Sequence, residues 1–171
     1  MCGIAGIYGG NIDLGCMDIM LDIQKHRGPD NTSKWNDDSI FLGHNRLSII
    51  DLSEEANQPF VSNDNRYILV FNGEIYNYLE LKIELEQHYN FKTNSDTEVL
   101  IAAFLHWGED CLPKLNGMFA FAIWDTQKKS LFAARDRFGV KPLYYNFSKG
   151  VFTFASEIKT IHTSGIPKIP N

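Results

Sequence analysis

Short runs of apolar residues recur along the chain and predict β-strands. Most of them end in Gly, Asn or Asp, as strands that lead into turns do. They cover residues 4–8, 40–43, 67–71, 118–124, 131–134 and 151–154. The run at 118–124 is apolar at every position instead of alternating, which predicts a strand covered on both faces, as in the middle of a layered structure.

Three further segments carry apolar residues at the three- and four-residue spacing of helices. The first covers 14–25, and the second covers 77–89, where charged residues occupy the face opposite the apolar one. The third begins with Ser95, whose spacing from Glu98 is that of a capping box, and Gly108 ends it. Because the helices cluster between groups of strands, the pattern favours a layered α+β fold over a doubly wound parallel sheet.

Composition narrows the choice of partner. The 171 residues are 44% hydrophobic and carry a formal net charge of -5 without any run of Lys or Arg. This argues against nucleic acid or a membrane as partner and favours a small molecule. No segment has the pattern of a signal peptide or the length of a membrane span, so we expect a cytoplasmic protein. Residues 1–163 form the predicted domain, and 164–171, with two prolines, form a predicted linker.

The cysteines point to chemistry at the start of the chain. Cys2, Cys16 and Cys111 cannot all pair and form no metal-ligand cluster, so we predict a reducing compartment and no metal site. Removal of Met1 would give Cys2 a free α-amine, which titrates near pH 8 and can take the proton of its own thiol. Cys2 is therefore a candidate nucleophile that carries its own base. The alternative is an ordinary first strand that begins after a cysteine.

Three other positions each have a chemical and a structural interpretation. Asn72-Gly73 could supply an amide and a backbone N–H to an oxyanion hole, or form a tight hairpin turn. Arg46 could bind a carboxylate with its planar fork, or lie at the surface. Asp96 could receive a substrate ammonium, or cap the third helix. His44 is better explained as a hydrogen-bonded core residue than as the base of a Cys-His pair.

Eight motifs in one order give the chain a resemblance to class II glutamine amidotransferase domains, and in particular to the glutaminase half of glutamine-hydrolysing asparagine synthetases. They are Met1-Cys2-Gly3-Ile4, His26-Arg27-Gly28-Pro29-Asp30, Arg46-Leu47-Ser48-Ile49-Ile50-Asp51, Phe71-Asn72-Gly73-Glu74-Ile75-Tyr76-Asn77, Ser95-Asp96-Thr97-Glu98, Gly117-Met118-Phe119-Ala120-Phe121, Ala134-Arg135-Asp136 with Lys141-Pro142-Leu143-Tyr144-Tyr145, and Ala155-Ser156-Glu157-Ile158-Lys159. On its own, the charged stretch 134–145 predicts only a salt-bridged turn. The resemblance spans nearly the whole chain.

The resemblance implies an N-terminal nucleophile hydrolase fold, a four-layer αββα sandwich of two antiparallel sheets between helical layers. It also implies residue roles. Cys2 would attack the side-chain amide of L-glutamine, and Asn72 with the Gly73 N–H would stabilise the oxyanion. The other substrate-binding residues would be Arg46 for the α-carboxylate, Glu74 and Asp96 for the α-ammonium, and the backbone near Ile49 and Ile50.

The ammonia acceptor is not set by these residues. Asparagine synthetases continue into an ATP-dependent domain whose Ser-Gly-Gly-x-Asp-Ser phosphate loop does not occur here. We therefore expect no cofactor in this chain, with ATP and Mg²⁺ used only by a synthetase domain in a longer protein or by a separate subunit. There are two alternatives. One is supply of ammonia to a sugar or polysaccharide-precursor amidotransferase, and the other is a catalytically silent glutamine-binding module. Whether the chain forms a homodimer is left open.

Overall fold

Two antiparallel sheets form the centre of the computed structural model, which describes residues 1–10 and 14–165. The strands are β1 (Gly3–Tyr8), β2 (Asn31–Asn36), β3 (Ile40–Arg46), β4 (Phe60–Val61), β5 (Tyr67–Ile75), β6 (Gly117–Asp125), β7 (Ser130–Arg135), β8 (Tyr144–Ser148) and β9 (Val151–Ala155). One sheet has the order β2-β3-β1-β9-β8 and the other β4-β5-β6-β7. Cys2 therefore directly precedes the central strand of the first sheet, where hydrogen bonds to strands on both sides hold it.

Helices cover the outer face of each sheet. They are α1 (Leu14–Ile23), α2 (Tyr78–Leu85), α3 (Asp96–Trp107) and α4 (Ile158–His162), with short 3₁₀ segments at Lys25–Arg27, Glu54–Ala56 and Gly108–Lys114. The helices α1 and α4 pack on the first sheet, and α2 and α3 pack on the second. The order of layers is thus helix, sheet, sheet, helix, which confirms the predicted αββα sandwich.

The strand β6 shows why its sequence is apolar at every position. Its side chains alternate between two separate cores, one shared with α2 and α3 and one between the sheets. The helix side receives Phe119, Phe121 and Ile123, and the other sheet receives Ala120, Ala122 and Trp124. Small alanines at two of the inner positions leave room for Trp124, which is fully buried.

The helix predictions are confirmed with small changes at the ends. The side chain of Ser95 accepts a hydrogen bond from the Thr97 N–H and so caps α3. The second half of a capping box is missing, because Glu98 instead accepts bonds from the N–H groups of Lys92 and Thr93. The helix α3 ends at Trp107, and the chain forms a 3₁₀ helix over Gly108–Lys114.

All six predicted strands are present, and three others were missed. The missed strands β2, β4 and β8 are edge strands whose side chains are largely half-buried or exposed, so their sequences lack an apolar run. In the part of the chain that the structure describes, no helix has the length and hydropathy needed to cross a bilayer. Of the predicted linker, residues 164–171, the part from 166 onward lies outside the described residues. The predicted domain boundary at 163 stays a prediction.

Candidate active site

One cavity of about 360 Å³ gathers all of the predicted site residues. It opens between the end of the first sheet, the edge of β5 and the start of α3. Its walls include Cys2, Arg46, Ile49, Ile50, Asn72, Gly73, Glu74 and Asp96. These residues come from positions as far apart as 2 and 96, and the cavity is within the size range of small-molecule sites. Ile49 lies at its rim with 69% of its surface exposed.

Cys2 lies in the cavity wall next to the chain that leaves β3. Its Sγ accepts a hydrogen bond from the Leu47 N–H, with 3.4 Å between the two atoms. Burial raises the pKa of the Cys2 thiol, while the Leu47 N–H and the charges of the chain terminus and Arg46 partly oppose this. The resting side chain is therefore a thiol at neutral pH, and its attack on a substrate requires a base.

The backbone of Cys2 is fixed by a side chain that the sequence reasoning did not single out. Arg27 donates from Nε to the Cys2 carbonyl oxygen at 3.0 Å and pairs through Nη1 with Glu157 at 3.3 Å. Glu157 also pairs with His26 and Lys159. Two motifs that are 130 residues apart in the sequence thus meet to hold the nucleophile in place.

Asn72 and Gly73 lie inside β5, so the hairpin interpretation is wrong. The strand continues to Ile75 instead of ending at Phe71, paired with β6 through the Gly117–Asp125 segment. Asn72 is 1% exposed, and its Nδ2 has no hydrogen-bond partner among the described residues although it belongs to a residue of the cavity wall. A buried amide donor without a partner is costly unless a ligand satisfies it.

The direction of the Gly73 N–H follows from its neighbours in the strand. N–H groups two residues apart point to the same edge of a strand. The Phe71 N–H donates to Gln58 Oε1 at 2.6 Å, and the Ile75 N–H donates to Asp96 Oδ2 at 3.0 Å. The Gly73 N–H therefore points to this edge, away from β6 and into the cavity. A Cβ atom at Gly73 would lie 2.5 Å from the Met118 carbonyl oxygen, so only glycine fits.

Arg46 is a buried cation at the end of β3. Its guanidinium donates to the Ser53 carbonyl oxygen and to Asn57 Oδ1, both at 2.7 Å, and also to the Asp51 carbonyl oxygen. All three acceptors are uncharged, and none of the ion pairs within the described ranges involves Arg46. The surface interpretation of Arg46 is thus wrong, and the fork is oriented with its charge still available to a carboxylate.

Glu74 and Asp96 bring negative charge to the wall of the same cavity. Asp96 is 5% exposed, and burial together with the charge of Glu74 raises the pKa of its carboxyl to about 6. The Ile75 N–H opposes this rise. Neither carboxylate has a cation partner in residues 1–10 and 14–165. Arg46 and these two carboxylates therefore line one cavity, in the pattern that a zwitterionic amino acid would complement.

The charged stretch between β7 and β8 is not the salt-bridged turn that its sequence predicts. Asp136 accepts hydrogen bonds from the N–H groups of Phe119, Phe138, Val140 and Lys141. Arg135 donates to the carbonyl oxygens of Gly139 and Lys141 at 2.5 and 2.6 Å. Both charged side chains thus form hydrogen bonds with backbone groups instead of pairing with each other. The loop places Lys141 in the cavity wall.

His44 is confirmed as a core residue. It is fully buried between the sheets, and its Nε2 donates to the Phe71 carbonyl oxygen at 3.2 Å. Burial lowers its pKa to about 3, so the ring is neutral at pH 7. His44 joins β3 to β5 and is not among the residues of the cavity. Among the described residues, no cluster of three His, Cys, Asp or Glu side chains could hold a metal ion.

Comparison with known families decides the relationship. A profile described as a glutamine amidotransferase domain matches residues 1–169. The chain belongs to the glutamine amidotransferase family. This amidotransferase domain is 42% identical over 168 residues to glutamine-hydrolysing asparagine synthetase 3 of Bacillus subtilis (strain 168), and 44% identical to asparagine synthetase 1 of the same organism. Each comparison covers 94% of this chain, with 27% and 26% of the respective synthetase.

The amidotransferase domain spans about a quarter of the length of these synthetases. A fungal protein named amidase chry2, from Gibberella zeae, is 42% identical over 88% of the chain. Among solved structures, the glutamine phosphoribosylpyrophosphate amidotransferase of B. subtilis superimposes with a TM-score of 0.81 at 25% identity. This superposition covers 96% of this chain and 44% of that one. The domain thus resembles the synthetases in sequence and shares its fold with the phosphoribosylpyrophosphate amidotransferase.

Proposed function

We propose that this domain hydrolyses L-glutamine to glutamate and ammonia through a thioester on Cys2. The observation that carries the proposal is the cavity itself. It joins a cysteine next to the chain terminus with a buried amide donor, the Arg46 guanidinium and two carboxylates. Among the described residues, the amide donor has no hydrogen-bond partner, and neither Arg46 nor the two carboxylates form an ion pair. Each of these features matches one group of glutamine.

The groups of the cavity fit the substrate in one orientation. Arg46 binds the α-carboxylate, Glu74 and Asp96 bind the α-ammonium, and the backbone near Ile50 lines the space between them. The side-chain amide then reaches Cys2. Holding both charges of the substrate fixes the amide against the thiol and converts a bimolecular reaction into an effectively unimolecular one.

The reaction proceeds in two balanced steps. The Cys2 sulfur attacks the amide carbon, its proton passes to the terminal amine, and the negative oxygen is held by Asn72 Nδ2 and the Gly73 N–H. The C–N bond breaks as the amine returns the proton to the departing nitrogen, which releases ammonia and leaves a thioester. Water then attacks the thioester, and glutamate leaves as the Cys2 thiol forms again. These steps use no cofactor within this chain.

Met1 must be absent for this mechanism. It lies in the wall of the cavity, and while it is present the nitrogen of Cys2 is a peptide nitrogen without a basic lone pair. Intact mass and glutamate release should therefore be measured on the same sample. We expect the mass of the chain without Met1 and steady release of glutamate, which Cys2→Ala abolishes. A folded chain that lacks Met1 and releases no glutamate would refute the proposal, as would activity in Cys2→Ala.

We propose an ATP-dependent asparagine synthetase, in the same polypeptide or as a separate subunit, as the consumer of the ammonia. The support is that glutamine-hydrolysing asparagine synthetases match this chain over 94% of its length. The domain should be expressed together with its synthetase, either as one polypeptide or as two subunits. This should restore growth of an asparagine auxotroph. With Cys2→Ala, growth should require added ammonium. The cytoplasm is the compartment that fits free cysteines and this substrate.

A second acceptor is supported by one observation, the close superposition on the phosphoribosylpyrophosphate amidotransferase. The domain would then feed ammonia to a sugar-phosphate or polysaccharide precursor. Failure to restore the auxotroph, together with normal glutamate release, would favour this second acceptor over asparagine.

A further inference from the structure

Lys141 is a buried cation in the wall of the cavity that the proposed reaction does not use. It is 6% exposed. Its Nζ takes part in none of the ion pairs or hydrogen bonds of the described ranges 1–10 and 14–165. Among the described residues, the ammonium thus has no partner that would explain why this side chain lies in the cavity wall.

Two hydrogen bonds hold the backbone of Lys141 in place. Its N–H donates to Asp136 at 3.0 Å, and its carbonyl oxygen accepts from Arg135 at 2.6 Å. Gly139 has φ +62°, and a Cβ atom there would lie 2.7 Å from the Arg135 guanidinium carbon. The loop thus fixes the place from which the side chain enters the cavity, as expected of a group whose position matters.

The chain terminus lies in the wall of the same cavity as Lys141. In the chain that begins with Met1, burial lowers the pKa of the terminal amine, the charges of Arg27 and Lys141 act in the same direction, and those of Cys2 and Asp30 oppose them. Arg27 is paired with Glu157, which offsets part of its charge, whereas none of the ion pairs between described residues involves Lys141. The remaining charged groups of the cavity are Arg46, Asp51, Glu74 and Asp96.

We propose that Lys141 is a positioning residue that keeps the terminal amine beside Cys2 in its neutral, proton-accepting form at neutral pH. The inference rests on the proposed glutaminase reaction, in which that amine takes the thiol proton. A protonated amine cannot do so. Lys141 acts through its charge and needs no contact with the substrate.

The test is the pH dependence of kcat for glutamate release between pH 5.5 and 9.5. The profile of kcat reports groups of the enzyme with substrate bound, when Asp96 is paired with the substrate ammonium. Loss of one charge from the wall of this cavity should raise the midpoint of the acid limb by roughly 0.5 to 1 pH unit in Lys141→Met. Below the midpoint kcat should fall about three- to ten-fold, with the plateau at high pH unchanged.

Two variants serve as controls. Lys141→Arg keeps the charge and should keep the midpoint of the unsubstituted protein. Lys128→Met removes an exposed lysine and the same net charge, and should also leave the midpoint unchanged. An unchanged midpoint in Lys141→Met would overturn the proposal. So would a higher KM at every pH, because it would assign Lys141 to the substrate carboxylate. If Lys141→Met does not fold, Lys141→Gln carries the same test.

A second readout separates this inference from the proposed function. In protein labelled with ¹³C-cysteine, the Cβ shift of Cys2 follows titration at the terminus without any turnover. The apparent pKa should be higher in Lys141→Met than in the unsubstituted protein. Absence of glutamate release with this difference present would refute the glutaminase proposal alone. Normal glutamate release without the difference would refute the role of Lys141 alone.

Discussion

The carboxylate of Asp96 accepts a hydrogen bond from the backbone N–H of Ile75, with 3.0 Å between Oδ2 and N. This bond joins the start of α3 to the edge of β5 that carries Asn72 and Gly73. The residue proposed to bind the substrate ammonium thus also sets the distance between the ammonium site and the oxyanion site. The cap at Ser95 lies directly before it, so the start of the helix is fixed from two sides.

Asp96→Asn should weaken glutamine binding and stabilise the protein. Loss of a charged hydrogen bond to the ammonium should raise KM about 10- to 100-fold. The pKa of Asp96 is raised from 3.8 to about 6 in the folded state, so folding favours its protonated form. Its contribution to stability is full below pH 4 and is lost as the pH rises through 6. The gain in the variant should thus grow from about pH 4 and be complete above about pH 6.

Urea unfolding at pH 4 and pH 7.5 measures this difference for Asp96→Asn. We expect a gain on the order of 1 kcal/mol at pH 7.5 and none at pH 4. Asp110→Asn, at an exposed acid, should show neither this pH dependence nor a change in KM. An Asp96→Asn protein with unchanged KM would remove Asp96 from the ammonium site.

Asn72→Ala should separate catalysis from stability. The Asn72 Nδ2 has no partner within the described structure, so its removal breaks no internal bond from that donor. Removal of one oxyanion donor should lower kcat by roughly 10² to 10³. Thermal unfolding should stay within about 2 °C of the unsubstituted protein, since no buried partner loses its bond. Asn63→Ala, at a surface amide, should leave kcat unchanged, and an equal effect of both variants would contradict the oxyanion role.

Arg46→Lys should impair both binding and the loop that follows β3. A lysine cannot reach the acceptors at Ser53 and Asn57 and also present a planar fork to a carboxylate. We expect KM for glutamine to rise about 10- to 100-fold. The matched control is Arg66→Lys, which disturbs the Arg66–Asp125 pair far from the cavity. It should lower the melting temperature and leave KM unchanged.

Asp136→Asn should destabilise the protein in a pH-dependent way. Burial alone would raise the pKa of this carboxyl, but the N–H groups of Lys141, Val140, Phe119 and Phe138 together hold it below its usual value of 3.8. Stability from such a group is present above pH 3.8 and is lost as the pH falls below it. The variant should lose about 1 to 3 kcal/mol at pH 7 and less at pH 3. Equal losses at both pH values would contradict this account.

Elements that face a core were predicted better from the sequence than edge strands were. β6 and α3 were predicted well because their apolar side chains face a core along their whole length, so the pattern is continuous. β8 was missed because it is an edge strand with Tyr145 and Phe147 largely exposed. An edge strand is paired on one side only, and its sequence need not bury either face.

In the site, likewise, some residues could be identified from their type alone, whereas the setting of others depends on distant segments of the chain. Cys2, Arg46 and Asn72 could be selected from the sequence because each is a residue type suited to one step of amide hydrolysis. Whether Asn72-Gly73 was a turn or part of a strand depended on its pairing with β6, which is separated from it by more than forty residues. Arg27 and Lys141 were not selected as site residues, because their contacts with Cys2 and with the cavity depend on segments far apart in the chain.

The sequence by itself determined the residue types, the apolar periods of the central strands and the ordered motifs that indicate an amidotransferase domain. Only the tertiary structure decided which of these residues share a cavity, that the Asn72 Nδ2 lacks a partner among the residues it describes, and that Lys141 is buried there. The physical reason is that burial, charge pairing and hydrogen-bond satisfaction depend on atoms from segments far apart in the chain. Residue type sets what a group can do, and its folded neighbours set what remains free to act on a substrate.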